Sequence, residues 1–297
     1  MSYQIKRLAE NNWPPLLSEI NQQPKQLFYA GSIPDWNRKL LCIVGARKNT
    51  NYGKEATESL INGLKNYPVT IVSGLAFGID AIAHRVAMQN KLPTISVPGS
   101  GLSKEVLHPQ SHTRLAEEIV ESGGTLISEF DENFKATQWS FPQRNRIMAG
   151  MSHATLIIEA EKKSGTLITA RLATEYNRDV LTLPGSIFNT TSYGPHMLIR
   201  LGATPIRNSD DLLEALHLQT KNESGESDEA KNEKMYFDCS PKEMLLIEIL
   251  REPLPRDEIL RQAQTKHQLP VGETQTLLSL LELKGLIRET LGEIRLI

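Results

Sequence analysis

The fold is decided by LLCIVGARKNTNYGKEATESLINGL at residues 40–64 and VTIVSG at 69–74. Each apolar run, 40–45 and 69–74, is hydrophobic at successive positions rather than in alternation. That pattern suits a strand buried on both faces, as in a parallel sheet covered by helices on either side. The segment between them, 53–64, reads as an amphipathic helix. Working outward, further strands are expected at 93–99, 124–129, 154–160 and 179–185, with a short last one at 203–206. Helices are expected at 79–89, 113–121, 144–151, 167–177 and 196–201. Strand–helix alternation of this length predicts an α/β, doubly wound, mostly parallel sheet. Several of the strands run straight into Gly or Ser, at the carboxyl ends where open α/β sheets bind ligands.

The flanks differ in kind. Residues 1–38 read as an extended lead-in with a short helix, packed on the core at 39–218. Composition then shifts: QTKNESGESDEAKNEK (219–234) has no large apolar residue, so 219–239 reads as a flexible linker. Beyond it, SPKEMLLIEIL, PRDEILRQAQ and GETQTLLSLLELKG are three amphipathic helices, and GLIRETLGEIRLI reads as a hairpin turning at Leu-Gly. Three helices and a hairpin predict a small winged-helix domain at 240–297, with Ser240 as N-cap and Pro241 at the first helical position.

Composition excludes several classes. With 297 residues, 39% hydrophobic and 23% charged, the chain is neither disordered throughout nor fibrous. No run approaches the length of a membrane span, and no secretory signal is legible, so a cytoplasmic protein with no membrane partner is expected. Cys42 and Cys239 form no C-x-x-C pair, and the histidines make no metal-ligand spacing, so neither metal nor cofactor is expected. P-loop, G-x-G-x-x-G and G-x-S-x-G patterns are all missing from the sequence. The net charge of −2, from 33 basic and 35 acidic residues, leaves room for a local basic patch.

Four clusters at strand ends carry the candidate chemistry. Gly45-Ala46-Arg47 opens the backbone and offers a planar guanidinium suited to phosphate. Ser73-Gly74 begins a glycine-rich turn before a helix start at Ile79-Asp80, an arrangement that favours anions, although Asp80 also suits a helix cap. Phe141-Pro142-Gln143-Arg144-Asn145-Arg146 combines an aromatic face, amides and two guanidiniums that can stack on a base and hold its phosphates. Arg144 and Arg146 lie two apart and point in different directions on a helix, and the sequence leaves open which of them faces a ligand. Ser164-Gly165-Thr166, with Thr169 on the same helix face, is a further amide- and hydroxyl-rich helix start. Ordinary strand-to-helix turns and packed aromatics would account for each cluster singly. All four on one sheet edge point to binding. Asp80, Glu129 and Glu159 are the only acids near strand ends and show no evident catalytic partner, so no enzyme is expected.

VGARKNTNYG (44–53), IVSGLAFGIDAIAH (71–84), VPGSGL (97–102), LISEF (126–130), FPQRNRIMAG (141–150), IIEAEKKSGTLITARLA (157–173) and NRDVLTLPGSI (177–187) resemble, in order and spacing, the DNA-processing protein A family, also written DprA or Smf. The resemblance covers most of 10–215. It implies an extended Rossmann-like fold and a positively charged pocket for single-stranded DNA, and no enzymatic activity. It also implies homodimers through the Rossmann-like domain, and loading of the RecA recombinase during natural transformation or recombination. Carried onto this chain, the pocket would use Arg47, Ser73, Gly74, Phe141, Arg144, Asn145, Arg146, Ser164, Gly165 and Thr166. There are departures from the family pattern. The lead-in is too short for the helical, SAM-like domain many members carry. His108-Pro109-Gln110-Ser111-His112 replaces a Tyr-Pro-x-x-Asn, and Asn177 stands where a glycine is usual. The third C-terminal helix carries Glu273 and Glu282 against Lys284, which argues against duplex reading and for a protein-contact or regulatory role. Two rival readings are a nucleotide phosphoribohydrolase-like enzyme, whose P-G-G-x-G-T-x-x-E loop is missing from the sequence, and a winged-helix transcription regulator.

Overall fold

The computed structural model describes residues 3–219, 239–250, 252–290 and 292–296, in two compact units, Met1–Thr220 and Lys221–Ile297. Apart from residues 219 and 239, the linker expected at 219–239 lies outside the described residues. Among the described residues, no helix is long and apolar enough to cross a membrane.

The first unit is built on one sheet of strands β1 (Ile5–Arg7), β2 (Phe28–Gly31), β3 (Lys39–Val44), β4 (Val69–Ser73), β5 (Thr94–Ser96), β6 (Thr125–Ser128), β7 (Ala154–Ile157), β8 (Asp179–Thr182) and β9 (Thr204–Pro205). Their order is β1-β2-β6-β5-β4-β3-β7-β8-β9. From β6 to β9 every neighbouring pair is parallel, in line with the expected α/β class. Helices α1 (Asn51–Gly63), α2 (Ile79–Gln89), α3 (Thr113–Glu121), α4 (Ser140–Met151), α5 (Thr166–Glu175), α6 (Tyr193–Arg200) and α7 (Ser209–Ala215) cover it. The chain winds from β3 outward to β6 and then returns to the far side of β3 with β7. The winding therefore reverses between β3 and β7.

Strand β3 shows why the apolar run had no alternation. Leu41 and Ile43 join a core with Leu60, Ile61, Ala83, Val86 and Leu212 on one face. Leu40, Cys42 and Val44 join Ile147, Met148, Ile20 and Leu27 on the other. Both faces are buried, so both need hydrophobic residues.

Three expectations need adjustment. The lead-in contributes strands: β2 pairs antiparallel with β6, and β1 with β2. Its helical content is two short 3-10 turns, Glu10–Asn12 and Pro15–Glu19. Helix α4 begins at Ser140, before the expected 144, because Pro142 sits in its first turn, where a missing N–H costs no bond. Likewise α6 begins at Tyr193 rather than 196, with Pro195 in its first turn.

In the second unit, α8 (Pro241–Ile249), β10 (Leu254–Pro255), α9 (Arg256–His267), α10 (Val271–Leu283), β11 (Ile287–Thr290) and β12 (Glu293–Leu296) enclose their own core, including Leu246, Ile259, Leu278 and Ile294. Ser240 caps α8 in a reciprocal box with Glu243. The hairpin of β11 and β12 forms as expected, and β10 joins it as a third antiparallel strand.

Candidate functional site

At the carboxyl ends of β3 and β7, where the winding reverses, a cleft of ≈ 440 Å³ opens between the β3–α1 turn, the start of α4 and the start of α5. Such switch points are where α/β sheets take ligands, because loops diverge there and helix N-termini converge. Nine of the expected residues line it: Gly45, Arg47, Phe141, Arg144, Asn145, Ser164, Gly165, Thr166 and Thr169.

Arg47 is exposed, and its guanidinium carbon lies 5.6 Å from the centroid of the Phe141 ring. The Phe141 ring rests on Gly99, where an added Cβ would stand 2.6 Å from Cδ1. The His108 ring lies 5.2 Å from it, tilted by 57°. Burial lowers the His108 pKa, and the cations Arg47 and Arg144 lower it further, so the ring is neutral near pH 7. His108 thus presents a flat, uncharged ring beside Phe141.

Across the cleft, Thr166 Oγ1 donates to the Gly45 carbonyl at 3.1 Å and its N–H donates to Ser164 Oγ at 3.2 Å, pinning the start of α5 to the end of β3. A Cβ placed on Gly165 would meet nothing within 4 Å, so the backbone there faces open space. Arg144 forms part of the cleft wall while being buried. Its Nη1 donates to the Gly74 carbonyl at 2.5 Å and to the Val97 carbonyl. It therefore holds the ends of two strands together and supplies charge from behind.

The four remaining expected residues do not reach the cleft. Ser73 is fully buried, and its hydroxyl donates to the Ile43 carbonyl at 2.6 Å within the sheet. Gly74 stands behind Arg144, where an added Cβ would fall 1.9 Å from Nη1. Arg146 and Gln143 turn to the opposite side of α4 from the cleft. There Arg146 pairs with Glu129 and donates to the Gln22 carbonyl at 2.7 Å, and Gln143 lies close to the same carboxylate. Two residues on a helix are about 200° apart, so Arg144 and Arg146 divide the work.

The acids near the strand ends all have structural partners. Asp80 Oδ2 accepts from the N–H of Gly74 at 3.2 Å and of Ala76 at 3.3 Å. Burial raises its pKa against the opposing pull of Arg144 and those two N–H groups. Glu129 is taken by Arg146. Glu159 accepts from Thr50 N at 3.0 Å, Thr50 Oγ1 at 2.5 Å and Thr191 Oγ1 at 3.0 Å. Among the described residues, no cluster of three or more His, Cys, Asp or Glu is placed to hold a metal ion. Sequence reasoning passed over Lys48 and Lys163, which line the cleft beside Glu161. Their only signal was position, next to Arg47 and next to Ser164.

Comparison with known proteins agrees with this architecture. The family model for DNA recombination-mediator protein A matches residues 4–217. The chain belongs to that family. It is a family of recombination mediators, not of enzymes. The Smf protein of Escherichia coli is 41% identical over 204 residues, 69% of this chain and 54% of that protein. The chain thus matches about half the length of that relative. DNA processing protein DprA of Streptococcus pneumoniae is 38% identical over 206 residues, 69% of this chain and 72% of that protein. A crystal structure of the pneumococcal protein superposes with a TM-score of 0.66 at 37% identity, covering 71% of this chain and 74% of that one. DNA processing protein A from Helicobacter pylori, whose structure was described for its single-stranded DNA binding mode, superposes with a TM-score of 0.64 at 28% identity. That match covers 72% of this chain and 96% of the other.

Proposed function

We propose that this member of the DNA recombination-mediator protein A family binds single-stranded DNA in the cleft at the β3–β7 switch point and hands it to a RecA-class recombinase, without turnover. The observation that carries the reading is Arg47 lying over Phe141 in a cleft whose wall also holds Lys48, Arg144, Lys163 and the hydroxyls of Ser164, Thr166 and Thr169. A guanidinium beside an aromatic face suits a phosphate next to an unpaired base, and it needs no sequence. The commitment of Asp80, Glu129 and Glu159 to N–H, guanidinium and hydroxyl partners supports binding rather than bond cleavage. Glu161 also lines the cleft, together with Lys163, but the P-G-G-x-G-T-x-x-E loop of the phosphoribohydrolase reading is missing from the sequence.

The homologue from Helicobacter pylori supports the single-strand assignment. Association of two copies through the first unit is in keeping with the short edge strand β9 and the exposed side chains Ile187, Phe188 and Leu201. The second unit, three helices on a three-stranded antiparallel sheet, is proposed to be a winged helix. Its α10 exposes Val271, Leu280 and Leu283 rather than a basic row, which favours a protein contact over duplex reading. The decisive variant is Arg47→Glu. It is expected to abolish most single-strand binding in gel shifts while leaving the circular dichroism spectrum unchanged. Wild-type affinity in that variant would refute the assignment of the cleft.

A further inference from the structure

The cleft absorbs Phe141, yet a second aromatic on the same helix start has no role in it. Trp139 is 54% exposed, a large apolar area to leave in water. It is the N-cap of α4, and its φ of −79° and ψ of −24° continue the helical geometry backward from Ser140. Two positions from Phe141 on that turn, it projects to the other side of the helix start.

Its surroundings are aromatic. The rings of Phe130 and Phe134 stack at 4.4 Å with 14° between planes. Trp139 meets both edge-on, at 5.8 Å and 5.5 Å. Phe130 is buried and lies just past β6, where its N–H donates to Ser128 Oγ at 3.1 Å. The Gly101 N–H donates to the Phe134 carbonyl at 2.8 Å, and Ser140 Oγ donates to the Gly99 carbonyl at 2.6 Å. These bonds hold the start of α4 over the carboxyl ends of β5 and β6. In sheet order, β6-β5-β4-β3, Trp139 therefore stands at the β6 end of a row that Phe141 continues and Arg47, which follows β3, ends.

We propose that Trp139 is a second base-stacking platform, which carries the bound single strand past Phe141 to the β6 end of the sheet. The proposal rests on the single-strand reading above and adds a direction to it: from the α5 start, across Arg47 and Phe141, toward β6. A π-face suits any base, so the platform lengthens the footprint without adding sequence preference. The edge-on contacts hold the indole in place while about half of it stays open to solvent.

The test uses the full chain and a labelled oligothymidylate of about 15 nucleotides, long enough to cover both platforms. Trp139→Ala is expected to weaken binding about tenfold and Trp139→Phe by less than about threefold, in proportion to the lost stacking face. Trp13 and Trp36 are tied by their indole N–H groups to the carbonyls of Leu8 and Asn12, away from the row. A Trp13→Phe, Trp36→Phe double variant leaves Trp139 as the sole indole. Its emission should then change along the same isotherm that anisotropy of the oligonucleotide follows. Wild-type affinity in Trp139→Ala, or unaltered emission at saturation, would overturn the proposal. If Arg47→Glu nevertheless loses binding, Trp139 is only an anchor for its loop and the cleft assignment stands. No binding by the unmodified chain would overturn both.

Discussion

Arg144 and Arg146 carry the same charge two residues apart, and the fold gives them different tasks. Arg146 and Glu129 pair with side chains only 9% and 7% exposed. Removing one partner of such a pair strands the other charge without solvent. Arg146→Ala is therefore expected to cost about 3 kcal/mol of stability in urea unfolding. Binding by the fraction that stays folded should persist. A second buried group sets the pH response. His84 is fully buried, with Nδ1 at 2.8 Å from Thr94 Oγ1. That hydroxyl donates onward to the Ile71 carbonyl, so the imidazole is the donor, and Nε2 has no partner to receive a proton. Burial, followed by the neighbouring His112, Arg144 and Arg85, lowers its pKa from 6.5 to about 3. The unfolded chain thus binds a proton near pH 6.5 that the folded chain refuses. The resulting stability is complete above that pH and is lost as pH falls toward 3. In urea titrations between pH 6 and 4, His84→Asn is expected to remove a slope of about 1.4 kcal/mol per pH unit. An unchanged slope would contradict this account of His84.

At the scale of elements, the start of α5 closes one wall of the cleft with Ser164, Thr166 and Thr169, and Gly165 among them adds no side chain. Gly165 takes φ −61° as N-cap of α5, a conformation open to any residue, and a Cβ there would meet only open space. Gly165→Leu should leave stability within about 1 kcal/mol and still block the cleft, reducing single-strand affinity by at least about tenfold. Parallel thermal unfolding and anisotropy titrations separate the two effects. The parallel strands and their helices were legible because burial on both faces leaves continuous apolar runs, as in Leu40–Val44. The edge strands were not legible. Lys6 and Arg7 of β1 are exposed, and β2 is four residues ending in glycine, so neither has a pattern to read. The clusters around Arg47, Phe141 and Ser164 could be read from residue type. The inward turn of Ser73 and Gly74 could not, because it depends on where Arg144 packs. Lys48 and Lys163 escaped notice because a surface lysine looks the same in a cleft as on any solvated face.

At the scale of the whole molecule, a formal charge of −2 gives no general attraction to nucleic acid. Charge for a strand is available locally, where Arg47, Lys48, Arg144 and Lys163 outnumber Asp80 and Glu161 around the cleft. In the proposed function that cleft takes one backbone beside an aromatic face, and a duplex keeps its bases stacked away from such a face. The most direct test is affinity for single- and double-stranded oligonucleotides of equal length across a salt series. The expected result is a strong preference for the single strand, with log affinity falling against log salt at a slope of about −1.5 to −3. Arg47→Glu should make that slope shallower by about 0.7 or more. Equal affinity for the duplex, or a slope that Arg47→Glu leaves untouched, would contradict the account.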